Sequence, residues 1–93
     1  MVLTGRIVAR DTLRFTPAGI PALDLTLEHE SVQSEAQLPR TVKAVVDAVA
    51  IGELARALDA LDTGRTVSVA GFLANRSRRS SRVILHIDEF ESH

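Results

Sequence analysis

Ninety-three residues suffice for one domain spanning 1–93 with a single core, and no apolar run approaches the ~20 residues a membrane span needs. The absence of cysteine excludes a disulfide framework, a thiolate metal site and a thiol nucleophile. The formal net charge is −1, so any basic field that serves a polyanion is local and does not cover the surface.

Val2 to Arg10 alternates, with Leu3, Gly5, Ile7 and Ala9 on one face and Thr4, Arg6, Val8 and Arg10 on the other. The opening therefore reads as a strand and not as a signal peptide, and the cytoplasm is the default compartment. Gly5 inside the strand predicts a bend or bulge. Arg6 and Arg10, placed together on the polar face, suit a subunit interface as well as a nucleic acid. Asp11-Thr12 and Thr16-Pro17-Ala18-Gly19 carry turn chemistry, which starts a second strand near Ile20. Leu23, Leu25 and Leu27 against Asp24, Thr26 and Glu28 make the clearest half-buried strand. Glu30 to Pro39 is polar and without period, and reads as a surface loop of about ten residues.

Arg40 to Ile51 fits two patterns. As a strand it aligns Val42, Ala44, Val46 and Ala48; as a helix it aligns Val46, Val49 and Ala50 with Leu54, Leu58 and Leu61. The valines favour a strand for the first part, with Gly52 as the switch. Glu53 to Leu61 predicts a short helix closed by Gly64. Thr66 to Ala74 and the run from Val83 to Ile87 are two more strands.

Between these last strands lies Arg76-Ser77-Arg78-Arg79-Ser80-Ser81-Arg82, with four arginines and no acid. Guanidinium forks match phosphate oxygens in pairs, and serine hydroxyls add donors, so this basic hairpin tip suits a polyanion. A solvated polar tip that guards an edge against aggregation has the same composition. Acids lie elsewhere, in Glu53, Asp59 and Asp62 and in Asp88, Glu89 and Glu91.

Five strands with a helix between the third and fourth is the order of the OB-fold, an all-β, five-stranded Greek-key barrel. An SH3-like barrel or an α+β sandwich remains open on that order alone. Val2-Leu3-Thr4-Gly5, Pro17-Ala18-Gly19-Ile20-Pro21, the run Leu27-Glu28-His29-Glu30-Ser31-Val32-Gln33-Ser34-Glu35-Ala36, Val69-Ala70-Gly71-Phe72-Leu73 and Val83-Ile84-Leu85-His86 resemble primosomal replication protein N, the PriB family of bacterial replication-restart proteins. The resemblance runs from Val2 to about Glu91. It implies an OB-fold homodimer without enzymatic activity that binds single-stranded DNA and meets the PriA helicase and DnaT. It places DNA contacts on Arg14, Arg76, Arg78 and Arg82; Arg79 lies in the same hairpin.

The sequence also departs from that family. Lys43 stands where the family has a stacking tryptophan, Leu38 replaces a nearby aromatic, and Glu30 replaces an arginine. With only Phe15, Phe72 and Phe90 as aromatics, few bases can be stacked, so charge carries the expected binding. Four phosphate contacts then imply a log-log salt slope of about −3, and Lys43 would substitute a phosphate contact for stacking. Phe72 suits a base platform or a dimer contact, and Phe15 either touches DNA or covers the barrel end. His29, His86 and His93 lack a metal-ligand spacing and read as buried, hydrogen-bonded side chains. No phosphate-binding glycine loop, dinucleotide pattern or nucleophile elbow is present, and no cofactor is implied. An OB-fold adaptor between proteins, with vestigial nucleic-acid binding, is the alternative function.

Overall fold

The computed structural model describes residues 1–36, 38–75, 79 and 81–93, with the backbone alone at 32–35 and 40. In chain order the elements are β1 (Val2–Arg10), β2 (Arg14–Phe15), β3 (Pro21–Glu35), β4 (Leu38–Ile51), α1 (Glu53–Asp59), β5 (Thr66–Asn75) and β6 (Val83–Ser92). The five long strands and the helix stand in the order read from the sequence; β2 is a two-residue addition paired to the start of β3. The sheet runs β1-β5-β6-β4-β3-β2, and β1 also pairs with β3, which closes the five long strands into a barrel. Every pairing is antiparallel except β4 with β6, a parallel seam joining only Ala48 to Leu85 and Val49 to His86.

The core follows the alternation of the strands. Ile7, Leu23, Leu27, Val67, Val69 and Leu85 are almost wholly excluded from solvent, and Leu25 and Ile87 lie beside them. A bulge in β6 between its pairings to Ala70 and Gly71 inserts Asp88 and reverses the parity of the strand. Phe90 therefore packs against the core while Glu89 and Glu91 remain exposed. Seven residues are too few for α1 to stand alone, but Ala55 and Leu58 are completely buried and plug the barrel end.

Two expectations change, and a choice left open is settled. The segment Glu30–Pro39 is not a loop, because the β3–β4 ladder continues without a break from Ala22 and Ile51 to Glu35 and Leu38. The described side chains at 36, 38, 39 and 41–45 are exposed, so apolar alternation has no core to follow there while backbone pairing persists. Ala36, at φ 50°, lies in the turn between the two strands. Residues 40–51 are a strand throughout, and Gly52, at φ 76°, breaks it before the helix.

Arg6 and Arg10 do not share a face. A bulge at Val8 sets Arg10 opposite the inward Leu25, whereas Arg6 stays opposite Glu28. Arg6 pairs with the Glu28 carboxylate at 3.2 Å. The Arg10 guanidinium donates to the Leu58 carbonyl at 3.4 Å and to that of Leu61, with Asp59 at 3.8 Å. A cation at the carbonyl end of the helix complements its dipole.

Candidate nucleic-acid interface

The outward side chains of β3, β4 and β6 build one continuous surface. In register across it stand Asp24 beside Val49, Thr26 beside Asp47, and Val49 beside His86. Val49 and Ile84 face away from the barrel interior, yet are only 7% and 8% exposed. Two adjoining depressions share Asp24 and Ile84. One, of about 110 Å³, reaches Thr26, Asp47 and Arg82; the other, of about 360 Å³, is bounded by Arg14, Val49, Ile51, Asn75 and His86. Together they form a groove with an apolar floor and a charged rim.

The rim cations are paired. Arg14, placed by β2 opposite Ala22, donates from Nε to Asp24 Oδ2 at 2.8 Å and from Nη2 to Oδ1 at 3.3 Å. These hydrogen bonds, reinforced by the charge of Asp24, raise the Arg14 pKa above the ordinary guanidinium value. Arg82, at the foot of β6, donates from Nη2 to Asp47 Oδ2 at 2.7 Å, and the Thr26 hydroxyl donates to Oδ1 of the same carboxylate at 3.5 Å. The two arginine side chains are 51% and 66% exposed, so water screens both pairs.

On the β5 side, Phe72 and His86 are cross-strand partners. Their rings stack with centroids 5.0 Å apart and planes 3° from parallel, and Phe72 is 53% exposed. Gly71 permits this approach, since a Cβ there would lie 1.8 Å from the His86 carbonyl oxygen.

Of the residues expected to meet DNA, Arg14, Arg82 and Phe72 thus gather on or beside one groove. Arg79 is exposed in the β5–β6 connection; Arg76 and Arg78 lie outside the described residues. Lys43 is elsewhere. It stands opposite Glu30 on the β3–β4 arm and lines a separate depression with Thr4, Arg6 and Glu28. Phe15 is 57% exposed at the end of β2, with the Arg56 guanidinium 6.0 Å from its ring centre.

Sequence reasoning passed over His86, Asp24 and Asp47. Alternation places Asp24 outward on its strand, but nothing in one chain says which residues of β4 and β6 lie beside it. Contrary to the expectation from sequence, the histidines are not buried. His29 Nδ1 shares a hydrogen bond of 2.7 Å with the Thr4 carbonyl, His93 Nε2 meets the Ser68 hydroxyl at 2.7 Å, and His86 is half-buried against Phe72. Among the described residues no group of three or more His, Cys, Asp or Glu side chains could hold a metal ion, and no helix is long and apolar enough to cross a membrane.

Comparison with known proteins agrees with this architecture. Residues 1–89 match the model described as another single-strand binding protein family. Replication restart protein PriB of Bordetella pertussis is 42% identical over 87 residues, covering 94% of this chain and 81% of that one. The structure of PriB from Ralstonia solanacearum superposes with a TM-score of 0.85 at 32% identity, over 100% of this chain and 95% of that one. A Plasmodium falciparum SSB in complex with ssDNA shares the fold at a TM-score of 0.85, with 16% identity and coverage of 100% and 92%. With the barrel topology, the family match over residues 1–89 and the extent of these identities, the chain belongs to the PriB family of replication-restart proteins, a branch of the single-strand binding proteins.

Proposed function

We propose that this protein binds single-stranded DNA across the outward face of β3, β4 and β6 and serves the restart of replication without catalysing a reaction. The observation that carries this reading is the groove itself, an apolar floor of Val49 and Ile84 between two exposed guanidiniums. Exposed ion pairs are worth roughly 0–1 kcal/mol, so Arg14 and Arg82 exchange a carboxylate for a backbone phosphate at little cost. Arg79, with Arg76 and Arg78 close to it in sequence, adds further cations for the phosphate chain. Lys43 adds a phosphate contact on the arm. The protein acts as a homodimer in the cytoplasm and bridges to the PriA helicase and DnaT. Support for the dimer is the exposed amino-terminal end of β1, which carries Val2 at 77% exposure.

The test is a titration of labelled oligothymidylate by fluorescence anisotropy at several salt concentrations. The six cations named, each on one phosphate, give a log-log slope of about −4, at roughly 0.7 counterions per phosphate on a single strand. Arg14→Ala with Arg82→Ala lowers the slope by about 1.4 on the same count. The adaptor reading has an observation of its own, namely that both groove arginines are already paired with carboxylates of this chain. Undetectable binding by the wild-type protein at low salt removes the first reading and favours the adaptor.

A further inference from the structure

We infer that His86 forms the wall of a slot for one unpaired nucleobase, with Phe72 as the positioning residue behind it. This rests on the DNA-binding function proposed above and adds to it a contact with the bases. The imidazole has two ring faces in different surroundings. One is stacked on Phe72 at 5.0 Å and 3°. His86 also lines the depression of about 360 Å³, in which Phe72 takes no part. The next strand over from His86 is β4, where Val49 is its register partner, while Phe72 is its partner on β5. The ring therefore stands as a partition between Phe72 and the groove.

A base lying against the groove side of this ring continues the stack begun by Phe72. Below it are Val49 and Ile84, both nearly sealed from solvent, which suit the flat apolar faces of a base. Across the depression stands Arg14, exposed and within reach of the backbone phosphate of the same nucleotide. Asn75 and Asp24 also line it and offer donors and acceptors to the base edge. Each base has a π face, so the slot accepts all four with little preference. A chain with neither tryptophan nor tyrosine thereby acquires a stacking platform from a histidine. Phe72 restricts the rotation of the imidazole and keeps its outer face turned to the groove.

The test compares oligothymidylate with an abasic oligomer of equal length, which keeps the phosphates and lacks the bases. The wild-type protein binds the thymidylate roughly 5- to 150-fold more tightly, the span of one stacking contact. His86→Ala abolishes most of that ratio and leaves the salt slope unchanged, since stacking releases no phosphate counterions. His86→Phe restores the ratio. Phe72→Ala lowers it and Phe72→Tyr recovers it, which a loss of fold alone would not produce. His86→Trp introduces an indole into a chain that has none, and its fluorescence is quenched by the thymidylate and not by the abasic oligomer. Should His86→Ala fold poorly, this quenching decides the matter. Equal wild-type affinity for the two oligomers, or an indole in the His86→Trp variant that the thymidylate leaves unquenched, overturns the slot while leaving charge-led DNA binding intact. Failure to bind either oligomer at low salt overturns the DNA-binding function and the slot together.

Discussion

Arg14 and Arg82 each lie against an aspartate of their own chain, so phosphate must compete for them. That competition is close to balanced, because both partners of each pair are accessible to water. It leaves a carboxylate beside the incoming phosphate, however, and two like charges at about 4 Å repel by roughly 1 kcal/mol in water. Asp24→Asn and Asp47→Asn therefore tighten binding of oligothymidylate about five-fold each at low salt, measured by anisotropy titration. Melting temperatures reveal a stability loss within about 1 kcal/mol for either change. The raised pKa of Arg14 has the opposite sign from a depressed carboxylate. Its contribution to stability is complete below the ordinary guanidinium value and fades only in strong alkali, so Arg14 adds no pH dependence near neutrality.

Among the elements, the β5–β6 hairpin depends on two irregularities that act together. Asp88 is the extra residue that turns Phe90 into the core, and Gly71 sits opposite Ile87 just beyond it. A methyl group at position 71 would fall 1.8 Å from the His86 carbonyl oxygen and 2.8 Å from its carbon, both backbone atoms that cannot step aside. Gly71→Ala is expected to destabilise the fold by roughly 1–3 kcal/mol as an overpacked site, read by urea denaturation, and to separate the Phe72 and His86 rings. The strands were legible in the sequence wherever they face the core. Leu23, Leu25 and Leu27 declare their strand because each alternate position is buried. The β3–β4 arm was not legible, since a strand without a core beneath it loses the signal that reveals strands. The place of Arg10 was hidden for a related reason. Strict alternation puts it beside Arg6, and one bulged residue at Val8 carries it to the end of α1 instead.

At the scale of the molecule, the site joins segments far apart in sequence. Arg14, Asp24, Asp47, Asn75, Arg82 and His86 meet only because β4 lies between β3 and β6. The arginine-rich run announced a polyanion from composition alone, and resemblance to a family named Arg14. The carboxylates and the histidine that complete the groove required the parallel crossing of β4 and β6, which no local pattern encodes. That crossing is brief, just two residues from each strand. It is the thinnest join in the barrel wall, and thin joins open first in local fluctuations. A DNA strand held at one end by Arg14 and at the other by Arg82 would lie across it as a suture. Amide hydrogens of Ala48, Val49, Leu85 and His86 should accordingly exchange with deuterium more slowly when oligothymidylate is bound, and an unchanged rate would show that the strand takes another route. The barrel would then owe part of its closure to its own cargo.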